Sequence, residues 1–373
     1  MKINHFFREN YGYVLTFSIK GDILKGKNRK FRLSELFERD FMTIKEIAKD
    51  LNLSIATVSK ALNGATDIAE STKKLVCDYA KSVAYRTRKS MAWNGRIALL
   101  WAKEEQREKY SAPSLVSTSF LSMAQKERYV VVEDVLEKLL EEDEKFSLNE
   151  YLAHHHFCGA FLVGLNFFNP VYAQLKKTKY PLVLLDNYML DNDLVSGVGC
   201  DNILSTEKAV DYLVSLGHKQ IAFLGGERQS LVGAERLAGY ILGLSKNGIE
   251  YRYDLTYFGD YTRQAGIDAA DYFQSKDFTA IVCASDMMAM GLIDRLRHWG
   301  KKVPDDVSVI GFDDLEFLRY TNYDLTTMRQ DFALIGEKAF RILESMIKGL
   351  PAQRANVGCT LIPRGSTIPL KQP

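Results

Sequence analysis

Between residues 42 and 85 the apolar side chains fall into three short helical periods. Each is too brief to hold a helix alone in water, so the segment must fold as one unit around a shared core. Thr43, with Glu46 three residues on, forms a capping-box pair, and Ile44, Ile47, Ala48 and Leu51 make the inward stripe of the first helix. Asn52-Leu53-Ser54 breaks that period, and Ser54 is suited to cap a second helix whose inward residues are Val58, Ala61 and Leu62. Its outward face is then Ile55, Ala56, Thr57, Ser59, Lys60 and Asn63. Asn63-Gly64 marks a turn, and a third helix follows with Leu75, Val76, Tyr79, Ala80 and Val83 on one side.

Two helices joined by a tight turn, the second presenting small polar groups and one cation, have the pattern of a helix-turn-helix. Such a helix fits the major groove, where hydroxyls and amides reach phosphates or base edges and an ammonium supplies a charge-assisted donor. A plain three-helix subdomain with a solvated face accounts for the same periodicity, and patterning alone does not choose between them.

Residue identity does. Thr43-Ile44-Lys45-Glu46-Ile47-Ala48, then Ser54-Ile55-Ala56-Thr57-Val58-Ser59-Lys60-Ala61-Leu62-Asn63, then Tyr85 closely resemble the headpiece signature of the LacI/GalR (lac-repressor) family of bacterial transcription regulators. The resemblance implies base reading by Ile55, Ala56 and Lys60 and phosphate anchoring by Ser54, Thr57, Ser59 and Asn63. Lys60 stands where many relatives carry Arg, which disfavours a bidentate contact to guanine.

Charge is distributed to match. Residues 42–90 hold nine Lys or Arg against five Asp or Glu, residues 1–41 hold the same numbers, and the chain as a whole is only +2, so the remainder is acidic. A basic head on an acidic body suits a polyanion at one end. Five cysteines, at 77, 158, 200, 283 and 359, form no C-x-x-C pair, the usage of a reduced cytoplasmic protein rather than a disulfide or zinc scaffold. No apolar run reaches the ~18 residues of a membrane helix, and the N-terminus lacks the form of a signal peptide. The chain is expected in the cytoplasm, without membrane, metal or cofactor.

Residues 1–41 match nothing in the family. They read either as a flexible basic arm or as sequence upstream of a true start at Met42, and the second reading is preferred; an intact mass including them would overturn it. Residues 86–96 form a shortened linker in which the family's x-Pro-Asn segment and wedge leucine are missing, although Arg86 and Arg88 still suit phosphates. Met91 and Trp93 are candidate wedges, against the alternative of a plain basic linker.

From residue 97 onward, apolar runs at 97–101, 129–132, 160–163, 182–185, 221–224, 280–283 and 307–310 read as strands buried on both faces, with helical periods between them. That alternation predicts doubly wound parallel sheets, and the length favours two of them with a cleft between. The α/β body also resembles the family, whose sensor is similar to periplasmic sugar-binding proteins. The likeness is strong from Leu216 to Gly226 and from Val303 to Asp314, and weak over 103–150, where Tyr110-Ser111-Ala112-Pro113 replaces the usual Asn-Pro-Phe-Phe. Expected divisions are a headpiece at 42–85 and an effector-binding and dimerisation domain at 97–373. Within the latter, an N-subdomain takes 97–199 plus 328–358, and a C-subdomain takes 200–327 plus the tail.

Ligands of doubly wound sheets sit beyond the carboxyl ends of strands, where Asp286 and Asp313 fall. The family resemblance assigns effector contacts to Arg236, Asp286 and Asp313, with Tyr261 and Phe332 as stacking positions. Against these stand a capping role for Asp286, a surface ion pair for Arg236 and a core place for Phe332. Other motifs weigh little. His154-His155-His156 would diverge on a helix, Gly197-Val198-Gly199 lacks a third glycine, and Asp313-Asp314 has no partnered acid, base or nucleophile, so no catalytic residue is assigned.

The resulting expectation is a homodimeric, sequence-specific DNA-binding regulator, a repressor by family habit. It binds a pseudo-palindromic double-stranded operator and answers to a small-molecule effector, a sugar or sugar derivative. The alternative is a cytoplasmic carbohydrate-binding module without operator binding.

Overall fold

The computed structural model describes residues 44–62, 65, 67–82 and 95–370. Thr43, Asn63, Arg86, Arg88, Met91, Trp93 and the 1–41 extension lie outside the described residues. The chain divides into two compact units at Asn94/Gly95.

In the first unit, helices α1 (Ile44–Asp50), α2 (Ile55–Leu62) and α3 (Glu70–Ser82) enclose one core. Ile47, Ala48, Val58, Ala61, Val76 and Ala80 are buried in it, with Ile44, Leu51, Leu53, Ile68 and Tyr79 packed around them. Between α1 and α2 Asn52 takes a left-handed conformation, which its short polar side chain tolerates, and Leu53 N–H returns to Ala48 C=O at 2.8 Å. Leu75 departs from the expected inner face and is 53% exposed. It stands one residue, roughly 100°, from Val76 on the helix surface, so the core stripe running through Val76 and Ala80 leaves it outside.

The second unit follows the order β1 (Arg96–Trp101), α4 (Ala112–Lys126), β2 (Val130–Val135), α5 (Leu136–Glu142), α6 (Leu148–His154), β3 (Gly159–Val163), α7 (Pro170–Gln174), β4 (Leu182–Leu185), β5 (Val195–Cys200), α8 (Asn202–Ser215), β6 (Ile221–Gly225) and α9 (Leu231–Lys246). It continues with β7 (Thr256–Phe258), α10 (Arg263–Phe273), β8 (Ala280–Cys283), α11 (Asp286–His298), β9 (Ser308–Asp313), β10 (Thr326–Arg329), α12 (Phe332–Ile347), β11 (Ala355–Val357) and β12 (Thr360–Ile362). Two six-stranded sheets result, ordered β2-β1-β3-β4-β5-β11 and β7-β6-β8-β9-β10-β12, parallel throughout except for the β10/β12 pair. This is the two-sheet, doubly wound α/β body expected from the strand-helix alternation.

Leu and β-branched residues in the central strands are buried on both faces because helices cover both. In the first sheet Phe120 of α4 stacks on Phe161 of β3 at 4.6 Å and meets Phe340 of α12 edge-on at 5.8 Å. Leu136, Leu148, Leu152 and Val171 from α5, α6 and α7 pack the opposite face. In the second sheet Tyr240 of α9 stacks on Phe223 of β6 at 4.8 Å and donates its hydroxyl to Ile221 C=O at 2.7 Å. Strand β2 corrects the expectation of burial on both faces. It is the edge of its sheet, and Val130 is 58% exposed.

Gly197-Val198-Gly199 belongs to strand β5. A Cβ on Gly197 would fall 2.1 Å from Asn187 C=O and one on Gly199 2.2 Å from Asp186 Oδ1, so close backbone approach demands both glycines. Within the His154-His155-His156 tract only His154 is helical, while His155 packs against Tyr151 and Phe157.

The chain passes between the sheets three times, after β5, after β10 and after β11. These crossovers bring the strand ends of both subdomains to one seam.

Candidate DNA-reading face and effector cleft

On α2 the cap and the outward face are one structure. Ser54 Oγ accepts the Thr57 N–H at 3.0 Å and lies 2.8 Å from Thr57 Oγ1, which fixes the first turn and orients a hydroxyl outward. Ser54, Ile55, Ala56 and Lys60 are exposed, and Thr57 and Ser59 are half-buried beside them. Ile55, at 47% exposed, is an apolar branch held in water. Lys60 Nζ lies 2.5 Å from the Asp67 carboxylate, and this hydrogen bond lowers the Asp67 pKa from its ordinary value. Both side chains of the pair are open to solvent, so Lys60 is held by a weak partner it can exchange.

In the body, Arg236 rises from α9 and is only 4% exposed. Its Nε donates to Asn202 Oδ1 at 2.9 Å, its Nη1 donates to Ala284 C=O, and its guanidinium sits 3.7 Å from the centroid of the Phe312 ring. A buried guanidinium with an aromatic on one side and fixed acceptors on its edge keeps its charge aimed at the seam.

Asp313 ends β9 with a positive φ of 125°. Gln330, in the second crossover, donates Nε2 to Asp313 Oδ1 at 2.6 Å. Burial pushes the Asp313 pKa up to about 6, opposed by the nearby Arg236 charge and by hydrogen bonds from Gln330 and the Asp286 backbone N–H. Asp186, which follows β4, behaves alike: burial raises it to about 6 against the pull of Arg236. Tyr261, also at positive φ, lies against Gly226, where a Cβ would meet its ring at 2.0 Å. Its hydroxyl is 3.3 Å from Ser230 Oγ, and burial pushes its pKa up to about 12.

The structure therefore gathers Arg236, Asp313, Tyr261 and Asp186 into one electrostatic group. Asp286 lies below them, fully buried at the start of α11, with Oδ1 taking the Thr327 hydroxyl at 2.6 Å and Oδ2 the Leu315 N–H at 2.9 Å. Burial, reinforced by Asp313, pushes its carboxyl well above the usual range. Phe332 is half-buried at the first position of α12, two residues past Gln330.

Sequence reasoning did not single out Asp186, Asn202 or Gln330. Asp186 carries the signal that marked Asp286 and Asp313, a carboxylate just past a buried strand, whereas Asn202 and Gln330 depend on the crossovers and carry no local signature. A small cleft opens beside the group, lined in part by Asp186, Cys200, Asn202, Glu235 and Arg354. Elsewhere Phe167 N–H approaches Gln229 C=O at 3.5 Å, joining the loop after β3 to the loop after β6. Carboxyl and amide groups of Asp186, Glu235 and Asn202 line the small cleft, and Asn202 in turn accepts from the buried Arg236.

Comparison with known proteins agrees with both halves. Residues 43–88 match the model of bacterial regulatory proteins of the lacI family, and residues 210–367 match a periplasmic binding protein-like domain. The regulator MalR of Streptomyces coelicolor is 31% identical over 343 residues, covering 86% of this chain and 95% of its own. The regulator CelR of Thermobifida fusca is 27% identical over 313 residues, covering 82% and 92% respectively. A solved complex of the transcriptional regulator CelR with cellobiose superposes with a TM-score of 0.66 at 26% identity, over 87% of this chain and 99% of that one. These relatives are regulators rather than enzymes. With its headpiece, its sensor body and nearly the whole length of MalR matched, the chain belongs to the lacI family of bacterial DNA-binding transcription regulators.

Proposed function

We propose that this regulator works in the cytoplasm as a homodimer on a pseudo-palindromic operator. Ile55, Ala56 and Lys60 read bases, while Ser54, Thr57, Ser59 and Asn63, with Arg86 and Arg88 beyond, hold phosphates. Two such headpieces fit half-sites about one helical turn apart, ~34 Å. The body, residues 97–373, is its effector and dimerisation domain, and a sugar or sugar derivative in the seam between the subdomains controls it.

The observation that carries the effector reading is the convergence of the buried Arg236 guanidinium with the Asp313 carboxylate and the Tyr261 ring. A carboxylate accepts from sugar hydroxyls, a guanidinium donates to others, and aromatic faces at Tyr261 and Phe332 cover C–H surfaces. Asp286, whose two oxygens already serve Thr327 and Leu315, supports this site by presenting its backbone N–H to Asp313. That CelR holds cellobiose supports a carbohydrate as the class of ligand. Ligand bound to both subdomains favours one relation between them and shifts the population of DNA-competent dimers.

The test is footprinting on genomic fragments with a panel of mono- and disaccharides. The expected result is a protected pseudo-palindrome whose occupancy changes with one sugar. Binding without sequence preference at physiological salt contradicts the operator reading, sugar binding without any footprint favours the carbohydrate module, and a footprint insensitive to every sugar contradicts the effector.

A further inference from the structure

Strands β9, β10 and β12 lie side by side in the second sheet, and the residues around them bring three arginines onto one carboxylate. Asp313 and Asp314 are consecutive but serve different partners. Asp313 takes Gln330, whereas Asp314 takes the residue before it, with Arg329 Nε donating to Oδ2 at 2.6 Å. Arg364, two residues past β12, donates Nη2 to Oδ1 at 2.5 Å. Arg319, in the 3-10 turn Glu316–Tyr320, brings its Nη2 to 3.5 Å from Oδ2. The Asp314 side chain is 1% exposed. Burial works against its ionisation, yet hydrogen bonds from Arg364 and Arg329 outweigh that and hold the carboxyl below its ordinary value.

One negative charge thus faces three positive ones, and the surplus is open to solvent. Arg364 is largely covered and spends its Nη1 on Leu325 C=O at 2.7 Å. The Arg319 and Arg329 side chains are 50% and 44% exposed, and each commits a single nitrogen to Asp314. Among the described residues their other N–H groups meet no acceptor and no second carboxylate. The acids nearby are otherwise engaged or turned outward: Asp331 caps α12 through Leu334 N–H, Asp324 accepts Gly365 N–H, and Glu316 is exposed at the start of the turn. Like charges gathered on one carboxylate repel, and an anion across the two open guanidiniums relieves that repulsion. The planar forks of arginine match phosphate oxygens in pairs.

We propose that Arg319 and Arg329, anchored on Asp314, form a binding site for a phosphate dianion, either free or as the end group of a small phosphate monoester. Two negative charges match the two positive charges left once Asp314 is counted. The ligand oxygens accept from the N–H groups that Asp314 leaves unused. Asp314 is the positioning residue, holding one nitrogen of each guanidinium while its own charge stays covered. The site is separate from the effector group, whose cation, Arg236, is buried over Phe312, so the inference stands whether or not the effector is a sugar.

The experiment titrates the full-length protein by calorimetry with inorganic phosphate and, separately, with glycerol 3-phosphate. Ionic strength is held constant and the pH is set at about 8, where both are dianions. The expected result is saturable binding with a Kd at or below about 1 mM, weakened at least about tenfold in Arg319→Gln/Arg329→Gln. Glycerol 3-phosphate binding as tightly as phosphate identifies a monoester site, and binding of inorganic phosphate alone identifies a site for the free ion. In the wild-type protein, phenylglyoxal modification mapped by mass spectrometry should show phosphate shielding Arg319 and Arg329 while the half-exposed Arg252 reacts unchanged. Absence of saturable binding, unchanged affinity in the double variant, or no shielding of Arg319 and Arg329 overturns the proposal. The wild-type map decides this whether or not the variant folds.

Discussion

The Arg236 guanidinium sits over the Phe312 ring, 3.7 Å from its centroid, while the same side chain serves Asn202 and the Ala284 carbonyl. One residue thereby ties α9 to the first crossover, to the end of β8 and to β9. Arg236→Ala leaves buried acceptors unpaired at about 1–3 kcal/mol each, so chemical denaturation should show a loss of about 3 kcal/mol. Calorimetry should show effector affinity down at least tenfold, ~1.4 kcal/mol. Arg236→Lys should not restore it, because an ammonium lacks the planar fork that serves these partners together.

The carboxyls of Asp186 and Asp313 should make stability and ligand binding respond oppositely to pH. Both are raised to about 6 in the folded chain from an ordinary 3.8. The native state therefore binds protons the unfolded chain has released, and their contribution to stability falls as pH rises through that window. A ligand hydroxyl donates best to ionised Asp313, so effector affinity should rise over the same interval. Asp313→Asn should flatten both trends, measured by denaturant midpoints and calorimetry from pH 4 to pH 7.

Asp286 is expected to matter for stability more than for direct contact. Asp286→Ala orphans Leu315 N–H and the Thr327 hydroxyl and should cost about 2–3 kcal/mol. Asp286→Asn keeps the shape, offers an oxygen to Leu315 N–H and an amide to Thr327, and replaces a carboxyl that burial already biases toward its neutral form. It should stay within about 1 kcal/mol of wild type. Equal losses from both variants would contradict this role.

If Lys60 reads DNA as proposed, Asp67, bonded to it at 2.5 Å, competes for the same ammonium. Asp67→Asn frees the ammonium and removes a negative charge near the phosphates, so operator affinity should rise several-fold at low salt and less at high salt. Unchanged affinity in a salt titration would mean that Lys60 does not reach the DNA.

Much of this architecture is legible in the residues. The Leu- and Val-rich strands around residues 97–101, 160–163 and 182–185 announce themselves because both faces are covered. Strand β5 does not, since Gly197 and Gly199 are chosen for the approach of Asn187 and Asp186 rather than for strand propensity. Strands β7, β11 and β12, three residues each, are too short to show a period. In the headpiece the stripe through Val58 and Ala61 is plain, whereas Leu75 misleads because an apolar residue at the flank of a stripe looks the same as one inside it. In the buried group around Phe312, Arg236 and Asp313 are marked by position and type. Asn202 and Gln330 are not, because each takes its role from a crossover that joins distant parts of the chain.

The outward face of α2 carries the proposed operator recognition. The most direct measurement is the operator affinity of the Thr57→Ala/Lys60→Ala protein beside wild type at one fixed salt concentration, with circular dichroism verifying that the headpiece remains helical. A fall of at least tenfold with helicity intact is the predicted result, and unchanged affinity in a folded headpiece would contradict it.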